Sequence, residues 1–368
     1  MSGPLRGLRV VELAGLGPAP FCAMMLADHG ADVVRIERPG TVATPNDPLL
    51  RNRRSIMLDL KSDADLKAVR DLCREAEVVI EGFRPGVMER LGLGPDVLLV
   101  DNPSLVYARM TGWGQEGPLR HAAGHDINYI AIAGALGACG PVGGKPAIPL
   151  NIIGDMGGGA MMLAFGIVSA VLAVRSGQPG QVLDCAMTDG AALLMAMIWG
   201  FRAEGNWADA RGTNLLDGGA PYYDSYATSD GHYIALGAIE PQFYALVRER
   251  LGLTSDPLFD DQNDQASWPA QRERLTEMFA TRSRADWCAL LEGSDACFSP
   301  VLTLGEVAGH PHNQARRTFI DVGGTIQPAP APRYSATPCQ PPVPPRTPGA
   351  DGDSVLARLA AGSGWPAA

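Results

Sequence analysis

The first 110 residues alternate short β-branched runs with helical patterns, and that alternation confines the chain to few folds. LRVVEL (8–13) gives way to the turn-like GLGPAP (15–20) and a helix pattern over FCAMMLADHG (21–30). ADVVRIERP (31–39) follows, then a helix pattern around 63–75, a third strand at EVVIEGF (77–83) and a fourth at SLVYARM (104–110). Strands separated by helices line up in parallel with helices over both faces. The expectation is an α/β chain with a doubly wound parallel sheet, whose ligands sit beyond the carboxyl ends of its strands.

Further along, residues 156–174 form a charge-free apolar stretch that ends at Arg175. It is barely long enough to cross a bilayer and opens on glycines, so it reads as a buried core helix and not a membrane span. A second helix-like segment covers 191–199. Near residue 211 the character changes: 220–235 reads as a hairpin turning at Ser229-Asp230-Gly231, followed by helix patterns over 242–251, 269–279 and 285–291. This block has the makings of a smaller α+β domain. Residues 329–348 are proline-rich and read as an extended arm, since proline suits neither helix interior nor central strand.

Composition narrows the function. Of 368 residues 46% are hydrophobic, and the net charge is −10. Residues 1–90 carry 13 Lys/Arg against 13 Asp/Glu, leaving 17 against 27 for the remainder. No basic stripe is present, which argues against nucleic acid. A locally neutral, Arg-rich N-terminal part suits a small anionic ligand. The seven cysteines are scattered without metal-type spacing and no leader pattern opens the chain, so reduced thiols and a cytoplasmic location are expected.

Two glycine motifs fail. Gly15-Leu16-Gly17-Pro18-Ala19-Pro20 has proline where a dinucleotide fingerprint needs its third glycine, and Lys145 in GPVGGKP is followed by proline where a phosphate loop needs Ser or Thr. Attention moves to single residues. His125 lies in the polar cluster GHDINY between a Gly-rich loop and an apolar helix, either as a satisfied structural histidine or as an acid/base. Asp155, in GDMGGG before the apolar helix, reads as an N-cap or as a carboxylate beside N–H donors that a ligand approaches through the glycines. Arg35, Arg38, Arg51, Arg53, Arg54, Arg84 and Arg90 sit around the strand ends, as a solvated face or as phosphate partners. Met156, Met161, Met162, Met187, Met195 and Met197 offer either core packing or a pliable apolar surface for substrate.

Taken together, LRVVELAGLGPAPFCAMMLADHGADVVRIERP, RNRRSIMLDLK, EGFRPGVMERLGLG, RMTGWGQEGP, GHDINYI, GDMGGG, NLLDGGAPYYDSY and AIEPQFY resemble, in order, the class III CoA-transferase superfamily. Within it the chain is similar to the α-methylacyl-CoA racemases, and the His-Asp pair of GHDINY is the discriminating feature. The resemblance implies a Rossmann-like large domain over 1–200, a smaller α+β domain over 215–320 and a segment over 325–368 that returns to the large domain. It also implies an interlinked homodimer with the active site at the subunit interface. His125 and Asp155 match the two acid/base residues, and Glu240 matches an acid that reaches the site from the partner subunit. Arg38, Leu58, Asp59, Leu60, Lys61, Gly82, Phe83, Arg84, Arg90, Gly124, His125, Asp126, Ile127, Asn128 and Tyr129 match segments that hold coenzyme A. The loop over 40–50 and the tail after 335 match poorly.

The implied chemistry is removal and return of the proton alpha to a thioester carbonyl, through an enolate, in an isomerase of lipid metabolism. Such a reaction needs enolate stabilisation together with a base and an acid on opposite faces. It needs no metal and no cofactor, coenzyme A being part of the substrate. The rival is a CoA-transferase in which Asp155 carries coenzyme A covalently; a silent acyl-CoA-binding subunit is a third reading. The acyl chain is not fixed by these residues.

Overall fold

The computed structural model describes residues 2–362 and 364–365 and divides into two compact units. The first takes in Met1–Ala135, Leu150–Met195 and Arg317–Ala368; the second takes in Leu136–Pro149 and Ala196–Arg316. Residues 136–149 and 196–200 thus belong with the second unit, whereas the sequence reading gave all of 1–200 to the large domain.

In the first unit six parallel strands form one sheet among the described residues: β1 (Arg9–Leu13), β2 (Asp32–Glu37), β3 (Arg54–Met57), β4 (Val78–Glu81), β5 (Val106–Thr111) and β6 (Gln181–Ala186). Their order, β3-β2-β1-β4-β5-β6, is that of a doubly wound dinucleotide-type sheet, reversing direction between β1 and β4. Side chains alternate between two cores. Val10, Val33, Val78, Ile80, Val106 and Ala108 pack with helix α1 (Pro18–Asp28) and the helix Met162–Arg175. Val11, Val34, Ile36, Ile56, Val79 and Tyr107 pack on the other face with helix α2 (Asp63–Glu75). Burial on both faces explains why β1, β2, β4 and β5 read as continuous apolar runs.

Two strands escaped the sequence reading. β3 hides behind the charges of RNRR, and β6 follows the apolar helix with polar Gln181 and Asp184 in its short run. The strands expected third and fourth are therefore β4 and β5. Residues 329–348 carry no helix or strand. The chain there lies against the β3 edge: the Val343 N–H donates to Asn52 Oδ1 at 2.7 Å, and Ser55 accepts from Gly349 and Asp351. A final helix, Gly352–Ala360, seats Val355 in the second core.

The apolar stretch also departs from expectation. Residues Ile152–Met161 form a π-helix that runs into the α-helix Met162–Arg175. The pair is long and apolar enough to cross a membrane, with 44% of its most apolar window buried inside the structure. It is not a wholly buried core helix: Leu163, Ala164, Ile167, Ala170 and Val171 face the core, while Phe165, Val168 and Leu172 stand exposed.

The second unit holds a three-stranded antiparallel sheet, β7 (Tyr223–Ala227), β8 (Tyr233–Gly237) and β9 (Phe298–Val301). The hairpin turns where Ser229-Asp230-Gly231 predicts, with Gly231 at a φ of 77°. Its apolar face packs on the helices Pro241–Leu251, Trp268–Phe279 and Arg284–Leu291 around Tyr222, Phe259, Phe279 and Trp287.

Candidate active site

The loops after β1, β4 and β5 converge on an open pocket of about 660 Å³ in the first unit, at the switch point of the sheet. After β1, Gly17 takes a φ of 68° that favours glycine, and Pro18 starts α1. Pro18 and Pro20 carry no N–H, whereas Gly17 and Ala19 each carry one and line the pocket at the positive end of the helix dipole. After β4, the Glu81 carboxylate accepts from the Phe83 N–H at 2.7 Å and shapes the turn through Gly82 and Arg84. After β5, Gly112 is required because a Cβ there would lie 2.2 Å from the Tyr129 ring.

His125 is the N-cap of a short helix, α3 (Asp126–Ile132). Its N–H donates to Asn128 Oδ1 at 3.0 Å, which leaves the imidazole exposed on the pocket wall. Below it, Tyr129 donates to the Gly124 carbonyl and packs edge-on against Trp113, with ring centroids 4.8 Å apart.

Asp155 also lines the pocket, but not as an N-cap. That position is Asn151, and Asp155 lies inside the π-helix. Its main-chain N–H donates to Asp126 Oδ1 at 2.7 Å, and its Oδ2 accepts from Asn151 Nδ2 at 3.1 Å. Burial pushes the Asp155 carboxyl above the usual carboxylate range; the Asn151 bond opposes this, the Asp126 charge adds to it, and His125 opposes it. His125 and Asp155 thus meet in one pocket, joined through Asp126.

The glycines after Asp155 serve a different end from the one expected. A Cβ on Gly158 would lie 2.5 Å from the Ala191 nitrogen, and one on Gly159 would lie 2.9 Å from Met187 Cγ. They permit close packing against the helix Met187–Leu194, not ligand approach. The donors that follow Asp155 enter the π-helix's own bonds, as Met156 does with the Asn151 carbonyl. Gly17 and Ala19, which sequence reasoning gave no role, line the pocket instead.

Four of the seven arginines are withdrawn from ligand binding. Arg35 and Arg53 are buried against Glu12, Arg51 makes a two-pronged pair with buried Asp28, and Arg54 pairs with Asp32. Arg84 lines the pocket, whereas Arg38 and Arg90 are exposed elsewhere. Of the expected methionines only Met187 lines the pocket, joined by Met110.

Among the segments matched to coenzyme A, Gly82, Phe83, Arg84, Gly124, His125, Asn128 and Tyr129 line the pocket. Arg38 and Leu58–Lys61 follow β2 and β3, whose ends are level, with the Leu58 N–H donating to the Glu37 carbonyl at 2.9 Å. The strand order makes the ends of β3, β2, β1, β4 and β5 one line, four strand spacings or about 19 Å long. Asp126 is buried and Ile127 exposed, neither on the pocket wall. Glu240 is in the second unit, exposed at the N-cap of Pro241–Leu251. Leu16, Thr111, Trp113 and Arg120 are pocket residues that sequence reasoning gave no role; for Leu16, Thr111 and Trp113 their place at or just past a strand's carboxyl end was the available signal.

A parallel sheet of this order, with a carboxylate and a histidine at its switch point, defines an α/β enzyme of acid/base or acyl-transfer type. The chain belongs to CoA-transferase family III, whose sequence model matches residues 5–353. It is 49% identical to alpha-methylacyl-CoA racemase of Mus musculus, over 92% of this chain and 88% of that one. Identity is 46% with alpha-methylacyl-CoA racemase of Homo sapiens over the same shares. With succinyl-CoA–D-citramalate CoA-transferase of Chloroflexus aurantiacus it falls to 31%, over 91% of this chain and 89% of that one. Among solved structures, a CAIB/BAIF family protein from Brucella suis superposes with a TM-score of 0.85 at 26% identity, covering 98% of this chain and all of the other.

Proposed function

We propose that this chain is an isomerase that racemises 2-methylacyl-CoA thioesters by removing and returning the alpha proton. The observation that carries the reading is the meeting of His125 and Asp155 in one pocket. A transferase needs the carboxylate alone, whereas inversion through an enolate needs a second proton-moving group. The greater identity to the two racemases than to the transferase supports the same choice.

In the mechanism, coenzyme A lies along the carboxyl ends of the strands, with Arg38 and Lys61 at one end and Arg84 at the pocket. The thioester carbonyl faces the Gly17 and Ala19 donors, which stabilise the enolate oxygen in a site fixed in advance by the fold. With its carboxyl held above the usual range, Asp155 is suited to act as the acid while His125 takes the proton. The reverse direction exchanges these roles. No cofactor beyond the coenzyme A of the substrate enters the scheme.

The finer reading is a cytoplasmic homodimer in which Glu240 of one chain completes the site of the other. An apolar helix face on the first unit supports it: Phe165, Val168 and Leu172, spaced to share one side of the helix Met162–Arg175, are exposed. Residues of this size in a group on a water-facing surface usually mark an interface.

The test is incubation of a single enantiomer of a 2-methylacyl-CoA with the purified protein, alone and with a free carboxylic acid. Chiral analysis then shows progress to a one-to-one mixture. Retained optical purity together with transfer of coenzyme A to the acid defeats the reading.

A further inference from the structure

Asp126 is a carboxylate that the scheme above leaves without a task. It is 6% exposed, at the first position of α3, directly after His125. Oδ1 accepts the Asp155 N–H at 2.7 Å, whereas Oδ2 is buried without a hydrogen-bond partner among the described residues. Gly154 makes room for it, since a Cβ at that position would lie 2.5 Å from Asp126 Oδ1. An unpartnered buried carboxylate oxygen costs free energy, and a fold that keeps one beside two proton-moving groups keeps it for a use.

We propose that Asp126 is a positioning residue of the proton transfer, holding Asp155 in place through its main-chain N–H and setting its acidity by like charge. The inference rests on the racemase reading. The Asp155 N–H anchors the Asp126 carboxylate on the main chain of Asp155, which keeps its charge next to that residue, while Asn151 holds the Asp155 carboxylate itself. The titratable and charged groups near Asp155 are His125 at the cap of α3, Asp126 and Tyr129 within it, and Arg84 and Arg120 of the pocket wall. The helix Met187–Leu194 brings Asp189, and the start of α1 brings none. Of these only Asp126 is bonded to Asp155 itself, and its charge raises the Asp155 carboxyl. With the Asp126 charge removed, Asp155 becomes a stronger acid and gives up its proton at lower pH.

Asp126→Asn keeps an oxygen for the Asp155 N–H and removes the charge. The experiment follows deuterium incorporation from each enantiomer of a 2-methylacyl-CoA across pH 5–9, in wild type, Asp126→Asn and Asp126→Ala, with melting curves for each. Expected is an alkaline limb shifted down by about one pH unit in Asp126→Asn for the direction in which Asp155 donates, about tenfold in rate at high pH. Asp126→Ala, which also loses the hydrogen bond, falls further at all pH values. A profile of unchanged shape in Asp126→Asn, whether at wild-type rate or uniformly reduced, overturns the inference. Wild-type protein that exchanges no proton overturns the racemase reading instead.

Discussion

Asn151 Nδ2 donates to Asp155 Oδ2 at 3.1 Å from one turn earlier in the π-helix, bracing the carboxylate that faces the pocket. This bond favours the ionised carboxyl against the burial that opposes it. Asn151→Ala is expected to raise the Asp155 carboxyl further. In the direction in which ionised Asp155 takes the proton, the rate falls about tenfold and the acid limb of the pH profile moves up. Directional exchange rates across pH check this, and an unmoved acid limb contradicts it.

Asp155 should also affect stability. Its carboxyl is raised in the folded chain, so its contribution is full below the ordinary carboxylate value and lost as pH rises through the raised value. Asp155→Asn removes that loss. Melting temperatures should show the inactive variant gaining on wild type between pH 4 and pH 8, with little difference at the acid end. A gap that is constant with pH contradicts the assignment.

The arginines divide into two groups that measurement can separate. Glu12 holds both Arg35 and Arg53, and among the described residues Arg53 has no other acidic partner in hydrogen-bond contact. Glu12→Ala leaves a buried guanidinium uncompensated and is expected to cost about 3–5 kcal/mol in denaturant unfolding. Arg84→Ala, at an exposed pocket position, should leave stability within about 0.5 kcal/mol and raise KM. The reverse pattern contradicts the division.

Close backbone packing gives a paired test. A Cβ on Gly190 would lie 1.8 Å from the Gly158 carbonyl oxygen, whereas one on Gly200 meets nothing within 4 Å. Gly190→Ala should destabilise by at least about 1–3 kcal/mol. Gly200→Ala, inside the helix Ala196–Ala203, should stabilise by up to about 1 kcal/mol. Equal effects at the two positions contradict the packing described.

Much of the sheet was legible because buried parallel strands are apolar on both faces, as in Val10, Val11, Val33 and Val34. β3 was not, because the charges around it are neutralised by residues distant in sequence: Arg54 meets Asp32, and Arg53 meets Glu12. The same distance effect misled the reading of the arginines as ligands. His125 and Asp155 stood out as polar residues at Gly-rich junctions, and the structure brings them to one pocket. The purpose of the glycines after Asp155 was hidden, because it depends on a helix that begins 32 residues later, at Met187. Gly17 and Ala19 offer main-chain donors, which no side-chain pattern reveals.

The central claim is that His125 and Asp155 move protons on opposite faces of one enolate. The most direct measurement is α-deuterium incorporation in deuterated water, starting from each enantiomer of a 2-methylacyl-CoA, in wild type, His125→Ala and Asp155→Ala. The account predicts that product formed by wild type carries deuterium while unreacted substrate keeps its hydrogen early in the reaction. Neither variant should racemise, and each should lose exchange chiefly from a different enantiomer. Racemisation that survives in His125→Ala, or both variants losing exchange from the same enantiomer, contradicts it.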